Sequence, residues 1–265
     1  MLIDTHCHLD AAEFEADRRA VALAAAAGGV GLVVVPAVER ANFESVMQLA
    51  AEYPHCAYAL GIHPLYVDRA VEDDLVRLRA LMQAARPIAI GEIGLDYFVD
   101  GYDGERQRHY FVEQLKIAQA SALPVILHVR KSVDDILKYL RRYPVVGGIA
   151  HAFNGSRQQA DAFIKLGFKL GFGGAMTYPR ALKIRELAAN LPADSIVLET
   201  DAPDIAPEWL GHRGRNTPDQ LARIAEVLAD LRGLNVAEVA EITTKNAITA
   251  LPGLGQLYTP PQVSH

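Results

Sequence analysis

The sequence predicts an α/β protein of the (β/α)8 (TIM) barrel class, built as a single domain with a helical C-terminal end. Eight short apolar runs predict it, together with the helical patterns between them and the metal-capable side chains that collect at one end of those runs. Apolar strands alternating with helices indicate a parallel sheet covered on both faces. The main alternative, an open doubly wound sheet, would carry a Gly-rich phosphate loop after the first strand. Here the first run ends in His-Cys-His, and no such loop opens the first helix.

The first run is "LIDTHCH", residues 2–8. Side chains alternate faces along a strand, so His6 and His8 are expected on one face and Cys7 on the other. Residues 20–38 hold no charge and match a membrane span in length. They are nevertheless Ala-rich and broken by Gly28, Gly29, Gly31 and Pro36. The expectation is a helix ending at Gly28-Gly29, then a buried strand in "GLVVVPAV", residues 31–38. "CAYALGIHP" (56–64) brings His63, "PIAIGEIGLDY" (87–97) Glu92, and "PVILHVR" (124–130) His128. "VGGIAHAF" (146–153) brings His151, "FKLGFGGAM" (168–176) no ligand, and "SIVLETDAP" (195–203) Asp201. Helical patterns over 43–53, 72–85, 105–121, 133–142, 156–166 and 181–191 separate the runs, and two more over 218–231 and 236–250 follow the last. No linker divides residues 1–257, and "YTPPQVSH" (258–265) reads as a loose tail.

In such a barrel the reacting groups come from the C-terminal ends of the strands. His6, His8, His63, Glu92, His128, His151 and Asp201 all fall there. Each alone has a plainer reading: a hydrogen-bonded histidine, a neutralised carboxylate, a turn cap before Pro203. Together they converge, because chance would scatter them over both ends. Glu199 and Asp96 stand where a carboxylate could orient a ligating histidine. Arg130 could meet phosphate or form a salt bridge at the mouth.

Composition narrows the partners. A 51% hydrophobic, 22% charged chain reads as an ordinary soluble globular protein, expected to be cytoplasmic and monomeric. The net charge of −6 argues against a broad nucleic-acid-coating surface, though not against a nuclease that takes one strand end into a pocket. Cys7 and Cys56 form no CxxC, so they are expected to be free thiols rather than a disulfide or a zinc site.

Eight motifs, in order, resemble the TatD family of metal-dependent deoxyribonucleases among the amidohydrolase-type barrels. They are "IDTHCHLD" (3–10), "GIHP" (61–64), "GEIGLDY" (91–97), "PVILHVR" (124–130), "AHAFNGS" (150–156), "GFGGAMTYP" (171–179), "LETDAP" (198–203) and "RGRNTP" (213–218). The resemblance implies one divalent ion held by His6, His8, Glu92 and Asp201, and a second held by Glu92, His128 and His151, with Glu92 bridging. Related barrels often bridge with a carboxylated lysine, and the fourth run has no lysine. Departures are mild: Asn154 stands where relatives often have Ser, and the "EWLGHRGRNTPDQ" loop differs slightly but keeps Arg215-Asn216 before Pro218.

The activity so implied is phosphodiester hydrolysis at DNA ends, 3′ to 5′ exonuclease action being the commonest form in the family. Asp201 would hold the attacking water, with Glu92 at the metals and His63, Arg130, Arg215 and Asn216 as substrate contacts. The alternative keeps the metals and changes the bond to a small phosphoester, amide or lactone. A barrel without turnover would lack a ligand, and none is missing. Imidazole ligands favour Zn, Mn, Fe or Ni, while the resemblance points to Mg.

Overall fold

The computed structural model describes residues 1–258. Eight parallel strands lie side by side in sequence order. They are β1 (Leu2–Asp4), β2 (Val30–Pro36), β3 (Cys56–Leu60), β4 (Ala89–Asp96), β5 (Val125–Arg130), β6 (Gly148–Ala150), β7 (Phe168–Phe172) and β8 (Ile196–Leu198). Seven helices make the crossovers: α1 (Arg18–Ala27), α2 (Phe43–Glu52), α3 (Glu72–Ala84), α4 (Gly104–Ser121), α5 (Val133–Arg142), α6 (Arg157–Lys165) and α7 (Leu182–Asn190). Three more, α8 (Leu221–Arg232), α9 (Val236–Ala250) and α10 (Leu254–Leu257), follow β8. The expected barrel class is therefore the observed one. Among the described residues, no helix is long and apolar enough to cross a membrane.

Local chemistry sets several helix ends. Asp103 accepts from the backbone of Glu105 and Arg106 at the start of α4. Ser156 and Gln159 exchange side-chain to backbone bonds at the start of α6. Gly28 ends α1 as the sequence implied.

Alternation sorts the strands into two packed layers. Ile3, Leu32, Val34, Ala57, Ala59, Ala89, Ile126, Ile149 and Val197 fill the barrel interior. Val33, Val35, Val125 and Leu127 face the helices instead. Ala247 and Ala250 of α9 join the interior cluster with Leu251 and Leu254 and plug one end. Thr244 bonds the Met1 carbonyl, and Asn246 bonds those of Ala193 and Ile196, so the plugged end is where the strands begin. The opposite, C-terminal end stays open. Tyr258 packs against the plug, and the rest of the expected tail (259–265) lies outside the described residues.

Two irregularities place the polar groups. Ile90 pairs with Val125 and Ile93 with Leu127, so β4 has one residue more than β5 between these pairs. Simple alternation from the inward Ala89 would turn Glu92 toward the helices; the extra residue turns it inward. Gly91 permits the close approach, since a Cβ there would lie 2.7 Å from the Ile126 Cβ.

The second irregularity corrects the expected strand over 2–8. β1 stops at Asp4, and the chain bends at Thr5. The barrel closes through the segments beyond β1 and β8. Thr5 N–H donates to Leu198 O (3.1 Å), Asp201 N–H to His6 O (2.8 Å) and His8 N–H to Ala202 O (2.7 Å). These backbone bonds fasten His6, His8 and Asp201 to one another.

Candidate metal centre

At the open end the interior changes from apolar to ionisable within one layer. Ile126 is followed inward by His128, Ile149 by His151, and Val197 by Glu199 and Asp201. Glu92, only 1% exposed, sits at the middle. Its two oxygens divide the cluster. Oε2 stands 3.1 Å from His6 Nε2 and 3.5 Å from His8 Nε2. Oε1 stands 2.9 Å from His128 Nδ1, 2.9 Å from His151 Nε2 and 3.4 Å from His63 Nε2. Asp201 joins the first side, its Oδ1 3.5 Å from His6 Nε2 and 3.7 Å from His8 Nε2.

Three groups of donor atoms lie within 4.8 Å of one another: His6, Glu92 and His151; His6, His8 and Asp201; His63, Glu92 and His128. One carboxylate cannot accept protons from five imidazoles at these distances. The groups overlap at His6 and Glu92, and imidazole nitrogens with carboxylate oxygens at this spacing are a donor set that divalent cations take.

The partners of the far nitrogens refine this. His128 Nε2 meets Asp96 Oδ2 at 2.9 Å, so its Nε2–H donates there and Nδ1 keeps a lone pair toward Glu92. His63 runs the other way. Its Nδ1 accepts from Leu65 N–H (3.1 Å), which leaves the neutral ring's proton on Nε2. His63 therefore faces the cluster as a donor, despite its ligand-like distance. His151 Nδ1 lies 3.8 Å from Glu199 Oε1. That nitrogen and Glu199 Oε2 are both buried without a hydrogen-bond partner among the described residues, so Glu199 stands beside the ring without bonding it. Gly171 makes room for Glu199, because a Cβ there would collide with its carboxylate.

The charges are strongly coupled. Burial pushes Glu92 up, but the His151, His6 and His63 rings and the His128 bond hold it well below the ordinary carboxylate range. Burial and the neighbouring His151 press His6 down to about 3. Burial also lowers His63, to about 4, against the pull of Glu92. Burial lowers His151, but Glu92, Asp201 and Glu199 together offset it and hold the ring up at about 10. Burial raises Asp201, opposed by His151 and His8.

Asp4 escapes the strand-end reading because it precedes the bend. Its buried carboxylate accepts from His6 N–H (3.2 Å), Thr200 N–H (2.9 Å) and Thr200 Oγ1–H (2.6 Å). It thereby ties the His6 and Asp201 segments together. The signal was present as a carboxylate opening an apolar strand, which must find partners to be buried.

The expected substrate contacts separate. Asn216 is corrected: it is 0% exposed and cannot touch a ligand. Its Nδ2 donates to Thr200 O (2.8 Å), Asp204 O (3.0 Å) and Ile205 O (3.4 Å), holding the loop that carries Asp201. Arg215 is committed elsewhere, with both terminal nitrogens on Asp17 at 2.9 and 2.6 Å. Arg130 is exposed at the mouth beside Phe98. Cys7 and Cys56 are buried free thiols, and Cys7 packs in the outer core, away from the cluster.

Comparison with known proteins agrees with this architecture. The family described as TatD related DNase matches residues 3–252. The chain is 43% identical over 251 residues to the uncharacterized metal-dependent hydrolase YjjV of Escherichia coli K12, covering 93% of this chain and 96% of that one. It is 31% identical over 253 residues to the 3′-5′ ssDNA/RNA exonuclease TatD of Pectobacterium parmentieri, covering 93% and 97%. The crystal structure of the E. coli K12 YJJV TatD homolog superposes with a TM-score of 0.90 at 42% identity, over 95% of this chain and 98% of that one. With matching motifs, barrel and histidine–carboxylate cluster, the chain belongs to the TatD-related deoxyribonuclease family of metal-dependent hydrolases.

Proposed function

We propose that the protein is a phosphodiesterase acting at the ends of DNA strands, in the 3′ to 5′ direction, with two divalent ions at the barrel mouth. The observation that carries this is the division of Glu92, which turns one oxygen to each half of the cluster. His6, His8, Asp201 and Oε2 of Glu92 make one ion site; His128, His151 and Oε1 make the other. The exonuclease named among the relatives supports DNA as substrate. Such ions supply Lewis-acid polarisation of a phosphodiester and of water.

The chain's own groups do the rest. Asp201, with Oδ1 beside the His6 and His8 nitrogens, is placed to receive the proton of the attacking water. The His63 Nε2–H is aimed into the site and can donate to a phosphoryl oxygen. Asp96 keeps His128 in the tautomer that presents Nδ1. We therefore expect Asp96→Asn to weaken metal binding by about 10–100-fold. Titration of the metal-free protein measures this, and wild-type affinity in the variant would remove Asp96 from that role.

Digestion of single-stranded DNA labelled at its 5′ end tests the whole reading. It is run with chelator, with Mg or Mn restored, and beside His128→Ala. A metal-dependent ladder that shortens from the 3′ end and is lost in the variant is expected. Intact DNA, in a sample shown to hold metal, would overturn the nuclease reading and turn attention to small phosphoesters, amides and lactones.

A further inference from the structure

One side of the barrel mouth carries an exposed aromatic ring with two cations over it. Phe98 follows β4 and is 49% exposed. Its N–H donates to Asp96 Oδ1 (2.8 Å), while the other oxygen of the same carboxylate holds His128 Nε2 (2.9 Å). One side chain thus fixes both the Phe98 loop and an imidazole of the cluster. Arg130, two residues beyond His128 on β5, places its guanidinium carbon 4.0 Å from the Phe98 ring centre, and Lys131 places Nζ at 4.8 Å.

Several surface arginines are held by carboxylates, and among the described residues these two cations are not. Arg40, Arg69, Arg77, Arg108, Arg157 and Arg215 each pair with a carboxylate. Arg130 and Lys131 have none among the described residues. Lys131 also adopts φ of 54°, a region that side chains other than Gly, Asn and Asp seldom enter. In a chain of net charge −6, two unpaired cations therefore flank an exposed ring that the core does not need. A cation–aromatic contact at the surface is too weak to account for the arrangement by itself.

We propose that Phe98, Arg130 and Lys131 form the entry platform for single-stranded nucleic acid, with a base stacked on Phe98 and a backbone phosphate between the two cations. This rests on the phosphodiesterase reading above. An aromatic face combined with backbone-tracking cations is how single strands are held without regard to sequence. A duplex keeps its bases stacked on one another, so the ring selects unpaired ends. A small phosphoester filling the buried cluster would gain nothing from the platform, which lies outside it.

The test uses the metal-loaded full chain with a decanucleotide and a dinucleotide of the same sequence at the cleaved end. Phe98→Ala is expected to lower the ratio of decanucleotide to dinucleotide kcat/KM about tenfold, mainly through KM, while Phe98→Tyr retains the ratio. Arg130→Ala and Lys131→Ala should each reduce the slope of log affinity against log salt by about 0.7. Ratios and slopes equal to wild type would overturn the platform and leave the phosphodiesterase reading standing. Failure of the wild type to cleave either substrate would overturn both.

Discussion

Glu92→Gln is expected to lower metal-supported hydrolysis by about 1,000-fold or more, the equivalent of ~4 kcal/mol of transition-state stabilisation. Glutamine fits the space of the glutamate but carries one acceptor oxygen and no charge. It can serve the His6–His8 side or the His128–His151 side, not both. The imidazoles that Glu92 now compensates would also face one another unscreened within a buried volume. Elemental analysis with steady-state rates on the same preparation reads both effects. A variant that keeps two metals per chain and acts within about tenfold of wild type would show that Glu92 does not join the two halves.

Asn216→Ala should cost ~3 kcal/mol of stability and impair catalysis although the side chain touches no substrate. The buried carbonyl of Thr200 and the more exposed ones of Asp204 and Ile205 lose their donor, and a buried unpaired acceptor costs ~1–3 kcal/mol. The expected fall in Tm is about 6–12 °C for a chain of this size. Differential scanning calorimetry measures it, and activity below the transition separates the loop effect from unfolding. A Tm within about 2 °C of wild type would mean that the loop is held by other contacts. Substrate affinity lost with unchanged Tm would restore Asn216 as a contact.

The barrel was legible because each strand announces itself by apolar residues and each helix by its period. The gathering of His6, His8, Glu92, His128, His151 and Asp201 was legible for a related reason: strand ends in this architecture share one face. What stayed hidden depends on departures from regular alternation. Read as an unbroken strand, "AIGEIG" would send Glu92 to the helices, and only pairing with β5 reveals the extra residue. Asn216 sits beside Arg215 in a loop that looks ligand-binding by composition, yet the fold closes over one and leaves the other exposed. The tautomer of His63 is set by Leu65 N–H, a bond that no spacing rule contains. The partner of Asp4, not Asp4 itself, was hidden, since Thr200 lies 196 residues away.

That last distance bears on how the protein is made. His6 and His8 leave the ribosome well before the segment they bond to, around Asp201. At about 5–20 residues per second, roughly ten to forty seconds of synthesis separate the two. Until then the early histidines have neither the backbone anchor nor the acidic partner that holds them in place. A chain that stops short of that segment therefore lacks Asp201 and the backbone bonds that fix His6 and His8. The seam of the barrel thus ties the first strand made to the last.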